Sequence, residues 1–395
     1  MLKRLLLVTI LFFIFPLFPL NNPPAVYAQD KPVGFHELCL PGVYLSQATD
    51  CLPLGPSEYL TRMAKSGITF PLTPLAARSI DPKLGYIPYL YAEMKDGAAD
   101  LYGTLEDAVA KKNSVNQIGP GKLKYVSYTS IETVGGQLYF QLRSGEWIAA
   151  SDGISQRVSL PSSFRGGLEF TQTPLNSFGW IIPLENEVES KHTPGYKVKD
   201  YTGHKYLQYQ IVQVYASQKV GEADWYLIGP DEWMEGRRIG RVIPNPTPPV
   251  GVNNGRWIEV NLFEQTVAVY ENNQLVYASL IATGLPPFWT RPGLFKIYKK
   301  LESTPMSGSF ELDRSDFYYL QDVPFTMYYD DARALHGAYW RHRLGFPQSH
   351  GCVNLSVADA HWLYNWANEG DWVYVWDPSG QTPTDPDAYS GGGAP

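Results

Sequence analysis

The sequence predicts a mainly β protein. Short apolar runs recur along the chain, many of them alternating between hydrophobic and polar residues, and 35 glycines and 32 prolines interrupt them. A chain of 395 residues with this punctuation is expected to hold two to four domains. The formal net charge is -7, and the sequence has no basic patch of the kind that nucleic-acid binding requires.

Residues 1–28 are predicted to be a signal peptide. Lys3 and Arg4 give a positive start, an apolar stretch follows over residues 5–20, and Val-Tyr-Ala at 26–28 is typical of a cleavage site. An uncleaved membrane anchor is the alternative, but the apolar stretch is short for a membrane span. We therefore expect an exported protein, extracellular or cell-wall associated, or periplasmic if the envelope has an outer membrane.

The cysteines divide into a pair and a single residue. Cys39 and Cys51 flank a short loop in the N-terminal segment 29–85, and an oxidising exterior favours a disulfide between them. Cys352 is then the odd thiol, which in an exported protein suggests reactivity. The alternative is that Cys39 and Cys51 are both reduced.

An internal repeat occupies the region between residues 86 and 243. Val134-Gly135 aligns with Val220-Gly221, and Glu146-Trp147 aligns with Glu232-Trp233 at the same offset. Each copy is predicted to form strand, turn and strand. The pattern is similar to bacterial SH3-like modules, at 86–165 and 166–243, which often bind cell-wall peptide or glycan. The alternative is that the aromatic residues are simply the core of a small barrel.

A proline-rich stretch at 244–255 predicts an extended linker that separates these modules from the region 256–377. Ser356 as N-cap with Asp359 at the third helical position predicts a short helix over 357–368. Asn272 and Asn273 predict a hairpin turn, because asparagine tolerates positive φ. The tail 378–395 is expected to be disordered. Strands are predicted at 257–262, 266–270, 275–280, 293–298, 317–320 and 372–376.

The stretch from 336 to 355 carries the residues with chemical potential. Cys352 lies there with His336, His342 and His350, among glycines. A thiolate is the nucleophile of cysteine enzymes, and it forms when an imidazole takes the thiol proton. Inert packing of the cysteine and a metal site are the alternatives. The paired spacing typical of structural zinc sites is absent.

These residues also carry a resemblance. His336-Gly337 followed by Ser349-His350-Gly351-Cys352-Val353-Asn354 resembles the signature of L,D-transpeptidases with a YkuD-type catalytic domain. The resemblance extends to Val323-Pro324-Phe325 and to the turn Thr290-Arg291-Pro292-Gly293, whose proline stands one place later than in the family. It covers residues 256–377 and implies a YkuD-like β-sandwich with a short helix after the cysteine, preceded here by tandem SH3-like β modules.

The resemblance implies roles for the site residues. Cys352 is expected to be the nucleophile and His336 its base, although spacing alone does not choose between His336 and His350, which would line the same site. The carbonyl of Gly337 is expected to orient the imidazole, in place of a third triad member. The N–H groups of Gly351 and Cys352 are the expected oxyanion hole.

Other residues of the stretch are expected near the substrate. Ser349 and Asn354 should brace the loop by hydrogen bonds on the substrate-binding side. Aromatic side chains would either rim the substrate groove or belong to the core: Tyr339, Trp340, Phe346 and Trp289.

The resemblance further implies a reaction. The thiolate attacks the carbonyl of the third residue of a peptidoglycan tetrapeptide stem, D-alanine leaves, and an amine of a neighbouring stem resolves the thioester. No metal or organic cofactor is required, and the oligomeric state is left open. An L,D-carboxypeptidase or endopeptidase of the same fold is the alternative enzyme. A non-catalytic wall-binding protein is a third hypothesis, disfavoured because both His336 and Cys352 are present.

Overall fold

The structure is a computed structural model that describes residues 65–66, 68, 75–158, 164–182, 185, 187–197, 199–309 and 313–389. The predicted signal peptide and the predicted bridge between Cys39 and Cys51 lie outside these residues. Over the described ranges, no helix is both long enough and apolar enough to span a bilayer.

The described part of the chain is mainly β, as the sequence predicts, with three short α-helices and three 3-10 turns. The helices are α1 (Leu105–Ala110), α2 (Ala150–Gly153) and α3 (Val357–Trp366), and the 3-10 turns are Pro82–Gly85, Gly236–Arg238 and Pro386–Tyr389. The strands, in chain order, are β1 (Ala77–Ser79), β2 (Leu90–Met94), β3 (Ala99–Tyr102), β4 (Ser114–Ile118), β5 (Leu123–Val134), β6 (Gln137–Leu142), β7 (Trp147–Ala149), β8 (Ile154–Val158), β9 (Leu168–Phe170), β10 (Ser177–Ile181), β11 (Glu187–Lys191), β12 (Tyr201–Leu207), β13 (Ile211–Val214), β14 (Ala216–Val220), β15 (Ala223–Gly229), β16 (Glu232–Glu235), β17 (Ile239–Val242), β18 (Trp257–Asn261), β19 (Thr266–Glu271), β20 (Gln274–Leu280), β21 (Gly293–Lys296), β22 (Lys299–Gly308), β23 (Tyr318–Asp330), β24 (Arg333–Gly337), β25 (Val353–Leu355) and β26 (Trp372–Trp376).

Strands β18 to β26 and helix α3 form the C-terminal sandwich. One sheet has the order β1-β9-β20-β19-β18-β26-β21, and a second, mixed sheet contains β22 to β25. Apolar residues of β18 and β19 meet those of β23, β24, β25 and α3 in one core cluster. The other face of β18 to β20 packs against β10 and β17, so these central strands are buried on both faces.

Local sequence signals placed the elements of this region well. The predicted strands at 257–262, 266–270, 275–280 and 372–376 are confirmed, and so is the helix that begins after Ser356. The Ser356 side chain accepts a hydrogen bond from the Asp359 N–H, as an N-cap residue does. Asn272 and Asn273 both have positive φ in the turn between β19 and β20.

The two copies of the repeat are three-stranded meanders with the same register. The first consists of β5, β6 and β7, and the second of β14, β15 and β16. Phe140 pairs with Ile148, and Tyr226 pairs with Met234 at an offset of 86 residues. The turns match as well, with Val134 opposite Gln137 and Val220 opposite Ala223. Four aromatic residues of the repeat are buried in the core: Tyr139, Phe140, Trp225 and Tyr226. The SH3-like assignment stays a prediction.

The predicted domain boundaries need correction, because strands of the N-terminal region complete both C-terminal sheets. Strand β9 pairs with β20 and with β1, which lies in the supposed N-terminal segment. Strand β5 of the first meander pairs in parallel with β23, with Leu123 opposite Tyr318. Pairing of this kind covers sheet edges that would otherwise be exposed. The linker 244–255 therefore does not separate the modules from the sandwich.

Two further predictions were wrong in part. The tail is ordered as far as Tyr389, whose hydroxyl donates to the Pro383 carbonyl and whose ring lies 5.1 Å from the Arg333 guanidinium. The strand predicted at 317–320 is only the start of the long β23, and β22 was missed. β22 has no regular alternation and contains Pro305, so its sequence lacks a strand signal.

Candidate active site

Two short parallel strands position the cysteine and the upstream histidine. In the β24–β25 ladder, His336 is the register partner of Asn354. Side chains on a strand alternate between faces, so Cys352, two residues before Asn354, points to the same side as both. The sequence separation of sixteen residues between His336 and Cys352 is thus closed by one pair of neighbouring strands.

A cleft opens above this ladder. It encloses about 500 Å³ of space, including its open mouth. Strand β5 of the first meander contributes Leu123 to the wall, and the other lining residues belong to the C-terminal sandwich. The lining consists of Leu123, Met306, Tyr318, Leu320, Ala332, Arg333, His336, Trp340, Arg341, Ser349, His350, Cys352 and Asn354.

His336 is held as a neutral imidazole. Its side chain is buried, and its Nδ1 lies 3.2 Å from the Gly337 carbonyl oxygen. A carbonyl only accepts, so Nδ1 carries the proton and Nε2 keeps a lone pair. Burial lowers the pKa of His336 to about 4. At neutral pH the imidazole can therefore take up a proton from a nucleophile.

Cys352 is a protonated thiol before substrate arrives. Burial raises the pKa of Cys352, and the opposing effects of the Ala334 backbone and the Arg333 charge are smaller. Its Sγ lies 3.8 Å from the Ala332 carbonyl oxygen. Since the imidazole and the thiol are both neutral, the arrangement suits proton transfer during attack and not a preformed thiolate–imidazolium pair.

A network of hydroxyl groups fixes the loop before Cys352. Ser349 Oγ donates to the Cys352 carbonyl at 2.6 Å and accepts from the Gly351 N–H at 3.2 Å. Thr290 Oγ1 donates to the Gly351 carbonyl at 2.8 Å. Gly351 has a φ of +116°, which a residue with Cβ rarely adopts. The loop is held from both sides, by its own serine and by the Thr290 turn.

This network changes the expected oxyanion hole. The Gly351 N–H already donates to Ser349 Oγ, so the prediction that it serves an oxyanion is wrong for this geometry. The Cys352 N–H, in contrast, has no hydrogen-bond partner within the described ranges. It is the backbone donor nearest to the thiol that is available to a developing oxyanion.

His350 lies at the rim of the cleft between aromatic rings. Its ring stacks on Phe288 at 4.7 Å and on Tyr318 at 5.5 Å, and its Nε2 is 4.0 Å from an Asp316 carboxylate oxygen. Burial lowers the pKa of His350, against the opposing effect of Asp316. His350 thus lines the site, as expected, in a place suited to contact a substrate.

The predicted substrate-binding residues divide. Trp340 lines the cleft 5.7 Å from the His336 ring, while Tyr339 points away, stacks on Tyr91 and donates to the Gln321 carbonyl. The prediction that Tyr339 rims the groove is therefore wrong for this cleft. Ser349 braces the loop as expected. Asn354 bonds to Ala282 through its backbone, and its side-chain Oδ1 is enclosed without a partner over the described ranges.

Gly337 has a steric role in addition to its carbonyl. A Cβ on this residue would meet Pro324 Cγ at 3.0 Å and the Ala360 side chain at 3.4 Å. A larger residue would push β24 away from Pro324 and from α3, and with it the neighbouring His336. The Val323-Pro324-Phe325 segment thus acts by packing against the ladder.

Sequence reasoning missed the charged residues around the thiol. Asp330 accepts from Arg333 at 3.2 Å and is also paired with Arg291. Arg341 lines the cleft on the side of Trp340. Arg341 lies inside the His336–Cys352 stretch, and this position could have marked it as a candidate site residue. The sequence does not show which arginines form ion pairs with carboxylates.

The cleft and the sandwich together define a class of protein in which a buried histidine and a free cysteine line one cleft. Residues 255–375 match the family model described as the YkuD L,D-transpeptidase catalytic domain, within two residues of the predicted 256–377. This segment is less than a third of the chain. The findings support a YkuD domain there, in a family of cysteine-based L,D-transpeptidases.

Individual proteins are similar over the same part of the chain. YciB of Bacillus subtilis, named as a candidate L,D-transpeptidase, is 26% identical over an alignment of 126 residues, and the match covers 27% of this chain and 59% of that protein. The catalytic domain of an Enterococcus faecium L,D-transpeptidase is 25% identical over 32% of this chain and 100% of its own, with a TM-score of 0.29. An L,D-transpeptidase from Stackebrandtia nassauensis is 25% identical over 33% of this chain and 58% of its own, with a TM-score of 0.26.

Proposed function

We propose that the chain is an exported peptidoglycan L,D-transpeptidase that acts through a thioester on Cys352. The observation that carries the proposal is the β24–β25 ladder, which places a neutral His336 and the Cys352 thiol on one face of one cleft. The match of residues 255–375 to the YkuD domain supports the choice of substrate class.

The first half-reaction forms the acyl-enzyme. His336 Nε2 takes the thiol proton as Sγ attacks the carbonyl carbon of the third residue of a tetrapeptide stem, and the Cys352 N–H stabilises the oxyanion. The carbon–nitrogen bond to the terminal D-alanine then breaks. The proton held by His336 passes to the leaving amine, so D-alanine departs and a thioester remains.

The second half-reaction forms the cross-link. An amine on a neighbouring stem attacks the thioester, His336 takes a proton from that amine, and the carbon–sulfur bond breaks. The thiolate recovers the proton from His336, and an amide joins the two stems. Throughout both steps the Gly337 carbonyl holds Nδ1–H, which keeps Nε2 pointed as the reacting nitrogen.

The test gives the purified protein tetrapeptide-bearing muropeptides and follows the products by mass spectrometry. We expect dimers formed with loss of D-alanine, and a transient mass on Cys352. Tripeptides without dimers would support the carboxypeptidase alternative, in which water replaces the amine. No reaction together with an unmodified Cys352 would overturn the enzymatic proposal and leave the wall-binding hypothesis.

A matched histidine variant controls for general effects on the cleft. His342→Ala changes an exposed residue of the same loop that does not line the cleft and should leave the products unchanged. His336→Ala should remove them. If both variants behave alike, the assignment of His336 as the base is wrong.

Export and wall attachment belong to the same proposal, with the repeat region as the wall-binding part. The full mature chain carrying Cys352→Ala should co-sediment with purified sacculi, because the repeat lies outside the catalytic cleft apart from Leu123. If this protein stays in the supernatant as completely as an unrelated control, the repeat has a structural role only.

A further inference from the structure

Three other arginines in or beside the C-terminal sandwich are paired with carboxylates. Arg241 binds Glu264 at 2.9 Å, Arg256 binds Asp371 at 3.0 Å, and Arg333 binds Asp330 at 3.2 Å. This is the usual arrangement, because a guanidinium withdrawn from water is costly unless an opposite charge faces it.

Arg341 departs from this arrangement. Its Nη2 donates to the Gln348 carbonyl at 2.5 Å, and its Nε is enclosed without a hydrogen-bond partner in the described part of the chain. Among the described residues it forms no ion pair with a carboxylate. Burial lowers the pKa of Arg341 to about 10, so the group is still a cation at neutral pH.

The position of this cation matters as much as its lack of a partner. Arg341 lines the catalytic cleft together with His336 and Cys352, and it also borders a second cavity beside Ser356. Its charge lowers the pKa of His336 and of His350, so it acts on both imidazoles of the site. Arg333, the other arginine of the cleft wall, is already committed to Asp330.

We propose that Arg341 binds the terminal carboxylate of the donor stem, the group next to the bond that Cys352 breaks. The inference rests on the proposed function, which supplies a peptide substrate ending in a free carboxylate. A guanidinium and a carboxylate match as two parallel hydrogen bonds, and the two Nη groups at the tip of the Arg341 side chain form such a pair of donors. The Gln348 carbonyl accepts one N–H of Nη2 and holds the guanidinium in place before substrate binds, and the second N–H of Nη2 remains for the carboxylate.

This assignment makes Arg341 a specificity-determining residue. Fixing the carboxylate fixes the leaving D-alanine and therefore the carbonyl that faces Sγ. A donor without the carboxylate would leave the buried cation unpaired in the complex and lose affinity as well as alignment.

The experiment compares two donors that differ in one group. One tetrapeptide ends in D-alanine and the other in D-alaninamide, and release of the terminal residue is followed by mass spectrometry for kcat and KM. The wild-type protein should prefer the acid by about 30-fold in kcat/KM, since a charged hydrogen bond is lost with the amide. Arg341→Gln should lose about the same factor on the acid and treat both donors alike.

Two further variants make the result specific. Arg341→Lys keeps the charge without the fork and should retain part of the preference for the acid. Arg343→Gln changes an exposed arginine of the same loop and should behave as the wild type. Thermal unfolding of each variant checks that the fold is intact.

The outcomes separate this inference from the proposed function. If the wild-type protein processes the acid and the amide within about twofold, or if Arg341→Gln slows both donors equally, Arg341 does not bind the carboxylate, although the transpeptidase proposal stands. If the wild-type protein releases neither residue, the proposed function fails and this inference fails with it.

Discussion

Two buried polar regions of this molecule contrast sharply in how their hydrogen bonds are arranged. Around Asp359 every partner is in place: the carboxylate accepts from the Gly167 N–H at 2.6 Å and from the hydroxyls of Tyr277, Ser279 and Ser356 at 2.5 to 2.9 Å. This centre ties α3 to β20 and to the loop before β9. Its function is to hold the layers together.

The cleft beside Cys352 shows the opposite. Trp340 Nε1, Arg341 Nε and Asn354 Oδ1 are all enclosed without a hydrogen-bond partner among the residues described, and all three residues line the cleft. Buried polar atoms are nearly always hydrogen-bonded in folded proteins, so a cluster of unsatisfied ones requires a reason. The comparison shows that the Asp359 carboxylate is saturated with hydrogen bonds, whereas three polar atoms beside the cleft are not.

The largest expected effect concerns the cleft. Cys352→Ala should reduce dimer formation by roughly 10⁴-fold or more, and His336→Ala by a similar factor, because the two residues act as one unit. The double variant should be hardly worse than either single one. Assays of cross-linking with all three proteins check this, and multiplicative losses would show that the residues act independently. The unfolding temperature should change little in Cys352→Ala.

The second prediction applies to the saturated centre. Asp359→Ala leaves four donors without an acceptor and should lower the free energy of unfolding by about 4 kcal/mol. Urea unfolding followed by tryptophan fluorescence measures this loss. Asp313→Ala, which removes an exposed carboxylate, is the matched control and should be nearly neutral. If Asp359→Ala lowers the free energy of unfolding by less than about 1 kcal/mol, the hydrogen bonds around Asp359 do not stabilise the fold as we infer.

The same contrast explains what the sequence could predict. The capping pair of Ser356 and Asp359 is three residues apart and was foreseen, whereas the bond from Asp359 to Gly167 spans 192 residues and was not. The motif placed Cys352 and His336 correctly in one cleft. It could not show that no carboxylate of the described residues pairs with Arg341. Such a pair would depend on segments that are distant in the sequence.

The sequence also did not predict the pairing of strands that are far apart in the chain. The two meanders were found from their common pattern of aromatic residues, and their register is the same. Within the described residues, the first meander is the one joined to the sheet of β22 to β25, through Leu123 to Tyr125 beside Tyr318 to Leu320. Parallel pairing between strands almost two hundred residues apart leaves no local signal, and so the sequence suggested separate modules where the structure has shared sheets.

The third prediction concerns Glu259, a buried carboxylate with fewer hydrogen-bond donors than Asp359. It is buried in β18, where one donor, Trp376 Nε1 at 3.2 Å, faces its carboxylate. Burial raises the pKa of Glu259 from 4.5 to about 7. Between these values the folded protein holds a proton that the unfolded chain has lost, so stability falls as pH rises through this window, by about 3 kcal/mol in total.

Glu259→Gln cannot ionise and should lack this loss. Urea midpoints at pH 5 and pH 8 should therefore lie closer together in the variant than in the wild type, and the variant should be the more stable protein at pH 8. Glu106→Gln, an exposed change on α1, controls for the loss of one charge. Equal pH dependence in all three proteins would show that Glu259 ionises normally.

The smallest expected effect returns to the cleft and tests the comparison most directly. Asn354→Leu replaces an enclosed carbonyl oxygen without a partner by an apolar group of similar size. Removing an unsatisfied polar atom should leave stability unchanged or raise it by about 1 kcal/mol, while cross-linking falls because a group that faces the substrate is gone. Ser279→Ala is the counterpart at the saturated centre. It removes one donor to Asp359 and should lower the free energy of unfolding by about 1 kcal/mol with little effect on kcat.

If the free energy of unfolding changes in opposite directions in these two variants, the unsatisfied Asn354 oxygen in the cleft is retained for function at the expense of stability. A loss of stability in Asn354→Leu as large as that in Ser279→Ala would mean that the Asn354 side chain stabilises the fold and is not retained for function.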